Sequence, residues 1–233
     1  MGDRTVEVRY MIMDRYHYLS RTKFKKNIGK LHVLTDTVLQ SRYSHLELAK
    51  MAIAGGADTI QLRQKSGSTK EMIAIARKLK GLCSEAGVPF IVNDRVDVAM
   101  ASEADGVHLG QDDFPIPLAR KLMGKGIIIG GSALSLEEAR RCLAEGADYI
   151  GFGPVYATSS KSDASSPAGI EDMKKVVKKV PVPIIAIGGI HAQNVRKVLQ
   201  AGAYGIAVIS AVCCQADPQQ ATLLLSQAME REK

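Results

Sequence analysis

Three features of the chain predict its fold class. Short apolar runs alternate with longer amphipathic stretches eight times after Lys30. A small-residue and acidic echo leads into every second run. About 203 residues carry the whole pattern, which suits a single α/β domain of the (β/α)8 TIM barrel type better than a doubly wound sheet.

Taken in order, Leu31–Leu34 reads as the first strand and His45–Ala54 as the first helix. Thr59–Leu62 and Thr69–Ala86 follow, then Pro89–Val92 with a short helical stretch at Val96–Ser102. The fourth unit is Gly106–Leu109 with Ile116–Met123, and the fifth is Ile127–Ile129 with Leu136–Ala144. Tyr149–Phe152 with Ile170–Lys179, Pro183–Ile187 with Gln193–Gln200, and Gly205–Ile209 with Gln219–Glu230 complete the series. Strands this continuously apolar are buried on both faces, as in a parallel sheet sheathed by helices. The echo is Gly56-Ala57-Asp58, Ala104-Asp105-Gly106, Gly146-Ala147-Asp148 and Gly202-Ala203-Tyr204, before strands two, four, six and eight. It marks a period of two βα units, the quarter of a barrel. Glycine there suits a helix end, where the backbone turns left-handed.

The 233 residues are 46% hydrophobic and 24% charged, which excludes wholesale disorder. No apolar run reaches the ~18 residues of a membrane span. The N-terminus lacks the apolar segment and small-residue cleavage site of a secretory signal, so a cytoplasmic protein is expected. The four cysteines show no metal or redox spacing and read as reduced thiols. The net charge of +7 suggests a polyanionic partner until it is divided. Residues 1–30 hold eight bases and three acids, whereas residues 31–233 hold 23 bases and 21 acids. The chain thus reads as a basic N-terminal extension, residues 1–30, and a near-neutral barrel, residues 31–233. The extension has aromatic residues among its bases but no recognition module, so no nucleic-acid partner is expected.

Such barrels build their sites at the strand C-termini. After strand two comes Gln61-Leu62-Arg63-Gln64-Lys65, in which Gln61, Arg63 and Lys65 share one side of the chain. Two cations and an amide suit pyrophosphate; a salt-bridged cluster at the barrel mouth is the alternative. Asn93-Asp94 after strand three and Asp113 after strand four place two carboxylates on adjacent strand ends. They could share Mg²⁺, which takes few carboxylates and completes its shell with water and substrate phosphate. Capping of the following helices is the alternative for both. Strand five ends in Gly130-Gly131-Ser132, where small residues admit a ligand and a hydroxyl can donate to phosphate. The longest loop, Gly153–Ala168, carries Thr158-Ser159-Ser160-Lys161. Gly188-Gly189 after strand seven and Ile209-Ser210 after strand eight sit where such barrels bind a phosphate through backbone N–H groups. One mouth with two anion sites points to a transferase with two phosphorylated substrates rather than a single-substrate isomerase.

At these residues the chain resembles the thiamine phosphate synthase family. QLRQK at Gln61–Lys65, VNDRVDVA at Val92–Ala99, DGVHLGQDD at Asp105–Asp113, GPVYATSSK at Gly153–Lys161, AIGGI at Ala186–Ile190 and GIAVISA at Gly205–Ala211 carry the resemblance in order. It implies condensation of 4-amino-2-methyl-5-hydroxymethylpyrimidine pyrophosphate with 4-methyl-5-(2-phosphoethyl)thiazole, giving thiamine phosphate and pyrophosphate. It implies Mg²⁺ on Asp94 and Asp113. It assigns Arg63, Lys65, Ser132 and Lys161 to catalysis, these four with Gln61 and Asn93 to the pyrimidine pyrophosphate, and Leu62 and Gln64 to substrate binding. It assigns Thr158, Ser159, Ser160, Gly189, Ile209 and Ser210 to the thiazole phosphate. Small-molecule substrates are the partners, and self-association is left open. The family's usual acid between the arginine and the lysine is Gln64 here. Leu134 stands where the family often has histidine; the related thiazole tautomerases use that histidine in catalysis, so leucine argues against tautomerase activity.

Overall fold

The structure, a computed structural model, describes residues 26–160 and 166–230. Residues 1–25, most of the basic extension, lie outside it. The strands are β1 (Leu31–Thr35), β2 (Thr59–Leu62), β3 (Phe90–Asn93), β4 (Gly106–Leu109), β5 (Ile128–Ala133), β6 (Tyr149–Phe152), β7 (Ile184–Ile187) and β8 (Gly205–Val208). The helices are α1 (His45–Ala54), α2 (Thr69–Ala86), α3 (Val96–Ala101), α4 (Ile116–Met123), α5 (Leu136–Ala144), α6 (Gly169–Lys179), α7 (Val195–Gln200), α8 (Ser210–Cys213) and α9 (Pro218–Glu230). The eight strands close in sequence order into an all-parallel barrel, with β8 returning to pair with β1. The four cysteines are free thiols.

Alternation along each strand divides the apolar residues into two shells. Val33, Ile60, Val92, Val107, Ile129, Ile150 and Ile206 face outward and pack with the helices in one continuous core. Leu34, Ile91, Ile128, Tyr149, Ile185 and Ala207 face inward and fill the barrel. Full burial of a Val, Leu, Ile or Phe side chain contributes ~1.5–3 kcal/mol, so the outer shell dominates stability. Residues 26–30 close the N-terminal end: Ile28 is buried in the inner shell, and Lys26 Nζ reaches Asp148 at 2.8 Å and the Ile127 carbonyl at 2.5 Å. His32 sits in the same interior, its Nε2 2.8 Å from the Gly29 carbonyl, and burial lowers its pKa to about 4.

The quarter-barrel echo has a physical basis. Asp58 N donates to the Leu31 carbonyl at 2.9 Å, while Asp58 Oδ2 accepts from Leu31 N at 3.2 Å. Asp105 makes the same two-point clasp on Phe90, and Asp148 on Ile129. Tyr204 keeps the backbone half, donating to the Ile184 carbonyl, but has no carboxylate to return. The residue two before each of these takes a left-handed turn: Gly56, Glu103, Gly146 and Gly202, with φ of 99°, 54°, 100° and 96°. The second echo is therefore Glu103-Ala104-Asp105, one residue earlier than sequence alone places it. Gly106 instead belongs to the barrel wall, where a Cβ would lie 2.4 Å from the Ile128 carbonyl oxygen.

Two elements differ from the sequence expectation. β5 runs on through Gly130-Gly131-Ser132 to Ala133 instead of ending at Ile129. Neighbouring side chains occupy the space a Cβ would take at these glycines: at Gly130 it would lie 2.2 Å from Tyr149 Cζ, and at Gly131 2.9 Å from Cys142 Sγ. α8, a single turn after β8, is too short to carry a helical period in the sequence.

Candidate active site

The C-terminal mouth opens into a cavity of about 960 Å³. One wall is built by Lys65, Asn93, Asp94, Gly110, Asp113 and Ser132, from the ends of β2 to β5. The opposite wall is built by Thr158, Ser160, Gly188, Gly189, Ile209 and Ser210, from the ends of β6 to β8.

On the first wall the two carboxylates meet. Asp94 adopts a left-handed backbone, φ 65°, which aspartate tolerates better than most residues. Its N–H donates to the His108 carbonyl at 2.8 Å, pinning the end of β3 to β4. Asp113 Oδ2 accepts from Gly110 N at 2.6 Å, and a Cβ on Gly110 would lie 2.8 Å from that oxygen. Neither carboxylate caps a helix. Arg95 occupies the N-cap of α3 and Pro115 that of α4, and neither helix start has a side-chain cap hydrogen bond. Burial raises the pKa of Asp113, as do a hydrogen bond donated by its protonated form to Asp94 and the charge of Asp94; Gly110 N–H and Lys65 oppose the rise. Lys65 Nζ lies 2.5 Å from Asp94 Oδ2.

Two facing carboxylates form a hard-oxygen donor pair suited to Mg²⁺. Among the described residues no group of three or more His, Cys, Asp or Glu side chains converges on one point. A two-carboxylate site that leaves room for water and phosphate oxygens is the kind Mg²⁺ uses with phosphorylated substrates.

Arg63 and Gln61 lie elsewhere than the mouth wall. Both are buried, and Arg63 Nη1 is ion-paired with Oδ2 of Asp36, which directly follows β1. Asp36 Oδ1 accepts from Val38 N at 2.8 Å and Leu39 N at 3.0 Å, so its carboxylate is engaged on both sides. Arg63 Nε and Gln61 Oε1 are buried without a hydrogen-bond partner among the described residues. For this pair the salt-bridged alternative holds in part: the Arg63 cation is neutralised by an acid that strand-end reading passes over. Leu62 packs in the outer core, and Gln64 Nε2 donates to the Ser66 carbonyl within its own loop. Neither side chain reaches the cavity wall expected of a substrate contact, because strand alternation turns both away from the mouth.

Ser132 stands at the head of a partly buried polar set. Its Oγ is 2.9 Å from His108 Nε2, and His108 Nδ1 is 2.9 Å from the Tyr149 hydroxyl. Gln111 bridges to the Ser132 carbonyl through Nε2 and is held from α5 by Arg141. On the second wall, Val155 N and Tyr156 N donate to the Ile187 and Gly188 carbonyls at 2.9 and 3.1 Å. These bonds tie the β6 loop to the β7 loop. Gly189, φ 64°, passes so close that a Cβ would lie 2.5 Å from the Ala157 carbonyl oxygen. Ser160 Oγ donates to Ser210 Oγ at 3.0 Å, joining the β6 loop to the start of α8. Ser159 stays off the cavity wall, and Lys161 falls outside the described residues. Asp36, Gln111, His108 and Tyr149 are absent from the sequence-based set of site residues. The signal for Asp36 was present as a Thr-Asp step ending the first apolar run.

With this geometry in place, comparison with known proteins is informative. A family model described as thiamine monophosphate synthase matches residues 31–212. A thiamine-phosphate synthase of Salinibacter ruber is 50% identical over 206 residues, 88% of this chain and 91% of that protein. One of Methanocella arvoryzae is 52% identical over 187 residues, covering 80% of this chain and 88% of that protein. A solved thiamine phosphate pyrophosphorylase of Pyrococcus furiosus superposes with a TM-score of 0.80 at 43% identity, covering 87% of this chain and 96% of that one.

Proposed function

Because the chain belongs to the thiamine monophosphate synthase family, we propose that it joins hydroxymethylpyrimidine pyrophosphate to thiazole phosphate, releasing pyrophosphate and thiamine phosphate. It is a transferase of thiamine biosynthesis. The observation that carries the substrate reading is the two-sided mouth. A carboxylate pair with a lysine stands on one wall, and glycine loops with hydroxyls stand on the other.

Asp94 and Asp113 would hold Mg²⁺, with Lys65 beside them. A metal bound there supplies neutralisation of the negative charge that grows on the leaving pyrophosphate. Lys65, Asn93 and Ser132 hold the pyrimidine pyrophosphate with its leaving oxygens toward this wall. Arg63 adds a second, partly neutralised cation from below. The Asp36 carboxylate fixes the guanidinium, so Arg63 contributes a fixed dipole more than a mobile charge. Lys161 belongs to the same group as an expected contact.

Departure of pyrophosphate leaves a pyrimidine-methyl cation, which the electron-rich aminopyrimidine stabilises without a protein nucleophile. Thr158, Ser160, Ser210 and the Gly188-Gly189 backbone hold the phosphate of the thiazole on the opposite wall, so that its ring nitrogen faces the cation. Holding both partners in one cavity turns a bimolecular encounter into a local one. Leu134 borders the same cavity and offers no imidazole at the position where the related tautomerases carry their catalytic histidine, which weighs against that alternative. Among the described residues no helix is long and apolar enough to cross a membrane, and the phosphorylated substrates suit a cytoplasmic site of action.

Incubation of the full chain with both substrates and Mg²⁺ should yield thiamine phosphate and an equal amount of pyrophosphate. Absence of product with both substrates saturating would overturn the reading.

A further inference from the structure

We propose that Tyr149 and His108 form a directed hydrogen-bond relay that makes Ser132 a donor into the cavity, so that both act as positioning residues for the pyrophosphate-bearing substrate. The identity of that ligand rests on the function proposed above; the relay itself rests on the barrel interior.

Tyr149 is buried inside β6, and among the described residues the partner of its hydroxyl is His108 Nδ1 at 2.9 Å. Burial raises the pKa of the phenol, which therefore keeps its proton. A buried hydroxyl proton seeks an acceptor, and among the described residues His108 Nδ1 stands within reach. Nδ1 thus accepts, and the ring proton is placed on Nε2. From Nε2 it is donated to Ser132 Oγ at 2.9 Å. With a lone pair of Oγ occupied from below, the Ser132 hydroxyl proton turns away from His108 and toward the cavity that Ser132 lines. Each link carries its proton upward, from the barrel interior to the mouth.

The wall is shaped around this relay. His108 registers with Gly130, Gly130 with Tyr149, and Ser132 with Gly151 across β4, β5 and β6. A Cβ at Gly130 would lie 2.4 Å from His108 Nδ1, and one at Gly151 would lie 2.7 Å from His108 Cε1. Two glycines that weaken a strand by backbone entropy are thus placed opposite the two rings that need the space.

Nitrogen-15 NMR of the histidines in the full chain reads the relay directly, with His108→Gln identifying the His108 signals. The expected result is a His108 ring protonated on Nε2 and bare at Nδ1, with that preference lost in Tyr149→Phe. A ring protonated on Nδ1 would overturn the relay whatever the enzyme turns over.

Kinetics read its consequence. Tyr149→Phe should lower kcat/KM for the pyrimidine pyrophosphate about 10-fold, the scale of one hydrogen bond, while leaving KM for the thiazole phosphate unchanged. In a Ser132→Ala background the same substitution should add nothing; an equal loss in both backgrounds would mean packing alone and would overturn the proposal. His108→Gln, whose amide offers both an acceptor and a donor, should recover part of the loss seen in His108→Leu. Equal losses in the two would also overturn it. A wild-type chain that forms no thiamine phosphate would refute the ligand assignment, while the ring tautomer would still decide the relay.

Discussion

At the N-terminal rim of the barrel, Asp58, Asp105 and Asp148 each turn a carboxylate oxygen onto the N–H at the start of a strand. At the C-terminal rim, Asp94 and Asp113 turn theirs toward each other. Two of the lower carboxylates are further neutralised: Lys80 approaches Asp105 at 2.6 Å, and Lys26 and Arg120 approach Asp148 at 2.8 and 2.6 Å. The upper pair shares a single lysine at 2.5 Å from Asp94. The same residue type therefore stabilises one end and stores unfavourable charge at the other. Unsatisfied donor capacity is what a ligand needs, and satisfied capacity is what a fold needs.

Breaking the contrast at the upper rim should give the largest effect. Asp94→Ala and Asp113→Ala should each lower kcat on the order of 10²–10³-fold and raise the Mg²⁺ concentration needed for turnover, with Tm nearly unchanged. Steady-state rates across a Mg²⁺ titration check this; an unaltered Mg²⁺ dependence would remove either residue as a ligand. At the lower rim, Asp148→Ala strips partners from two cations and a strand N–H. It should cost ~2–4 kcal/mol in urea unfolding while leaving KM for both substrates in place. A loss of activity without a loss of stability would erase the distinction between the rims.

Smaller changes sharpen the comparison. The pKa of Asp113 is raised in the fold, so the folded state holds its proton more tightly than the unfolded chain. Its contribution is favourable below the unfolded carboxylate pKa and is lost as pH rises through the raised folded value. Asp113→Asn should therefore unfold at higher urea than wild type at neutral pH in metal-free buffer. The difference should fade on acidification, and added Mg²⁺ should stabilise the wild type alone. The smallest effect belongs to Glu103, a non-glycine residue at φ 54° where the other quarters have glycine. Glu103→Gly should raise stability by about 0.5–1 kcal/mol without changing turnover, measured by the urea midpoint and initial rates. Asp94→Gly, which relieves a similar backbone strain at φ 65°, should lose activity instead.

The barrel was legible in the sequence because its strands are apolar on both faces and its helices are amphipathic, two periods that a single chain displays locally. The carboxylate pair was legible for a related reason: fold class assigns strand ends to the mouth, and Asp94 and Asp113 follow neighbouring strands. What stayed hidden lies across strands. Arg63 looks like a free cation until Asp36, 27 residues away, is seen to pair with it. His108 looks like a wall residue until Ser132 and Tyr149, 24 and 41 residues away, close on its two nitrogens. Gly130 looks like a turn because the rings that require its missing side chain belong to other strands. Each of these is a non-local contact between inward-facing residues, and no periodicity records it.

The clasps also bear on the order in which the chain folds. They span 27, 15 and 19 residues, whereas the seam between β1 and β8 joins Lys30 to Ile206. Bringing together ends roughly 175 residues apart costs about 2 kcal/mol more chain entropy than closing one quarter. Three quarters carry both halves of the clasp, and the fourth, at Tyr204, has the backbone half without a carboxylate. The clasps are therefore expected to form before the β8–β1 seam, so slow phases in refolding should track substitutions along that seam rather than those within any one clasp.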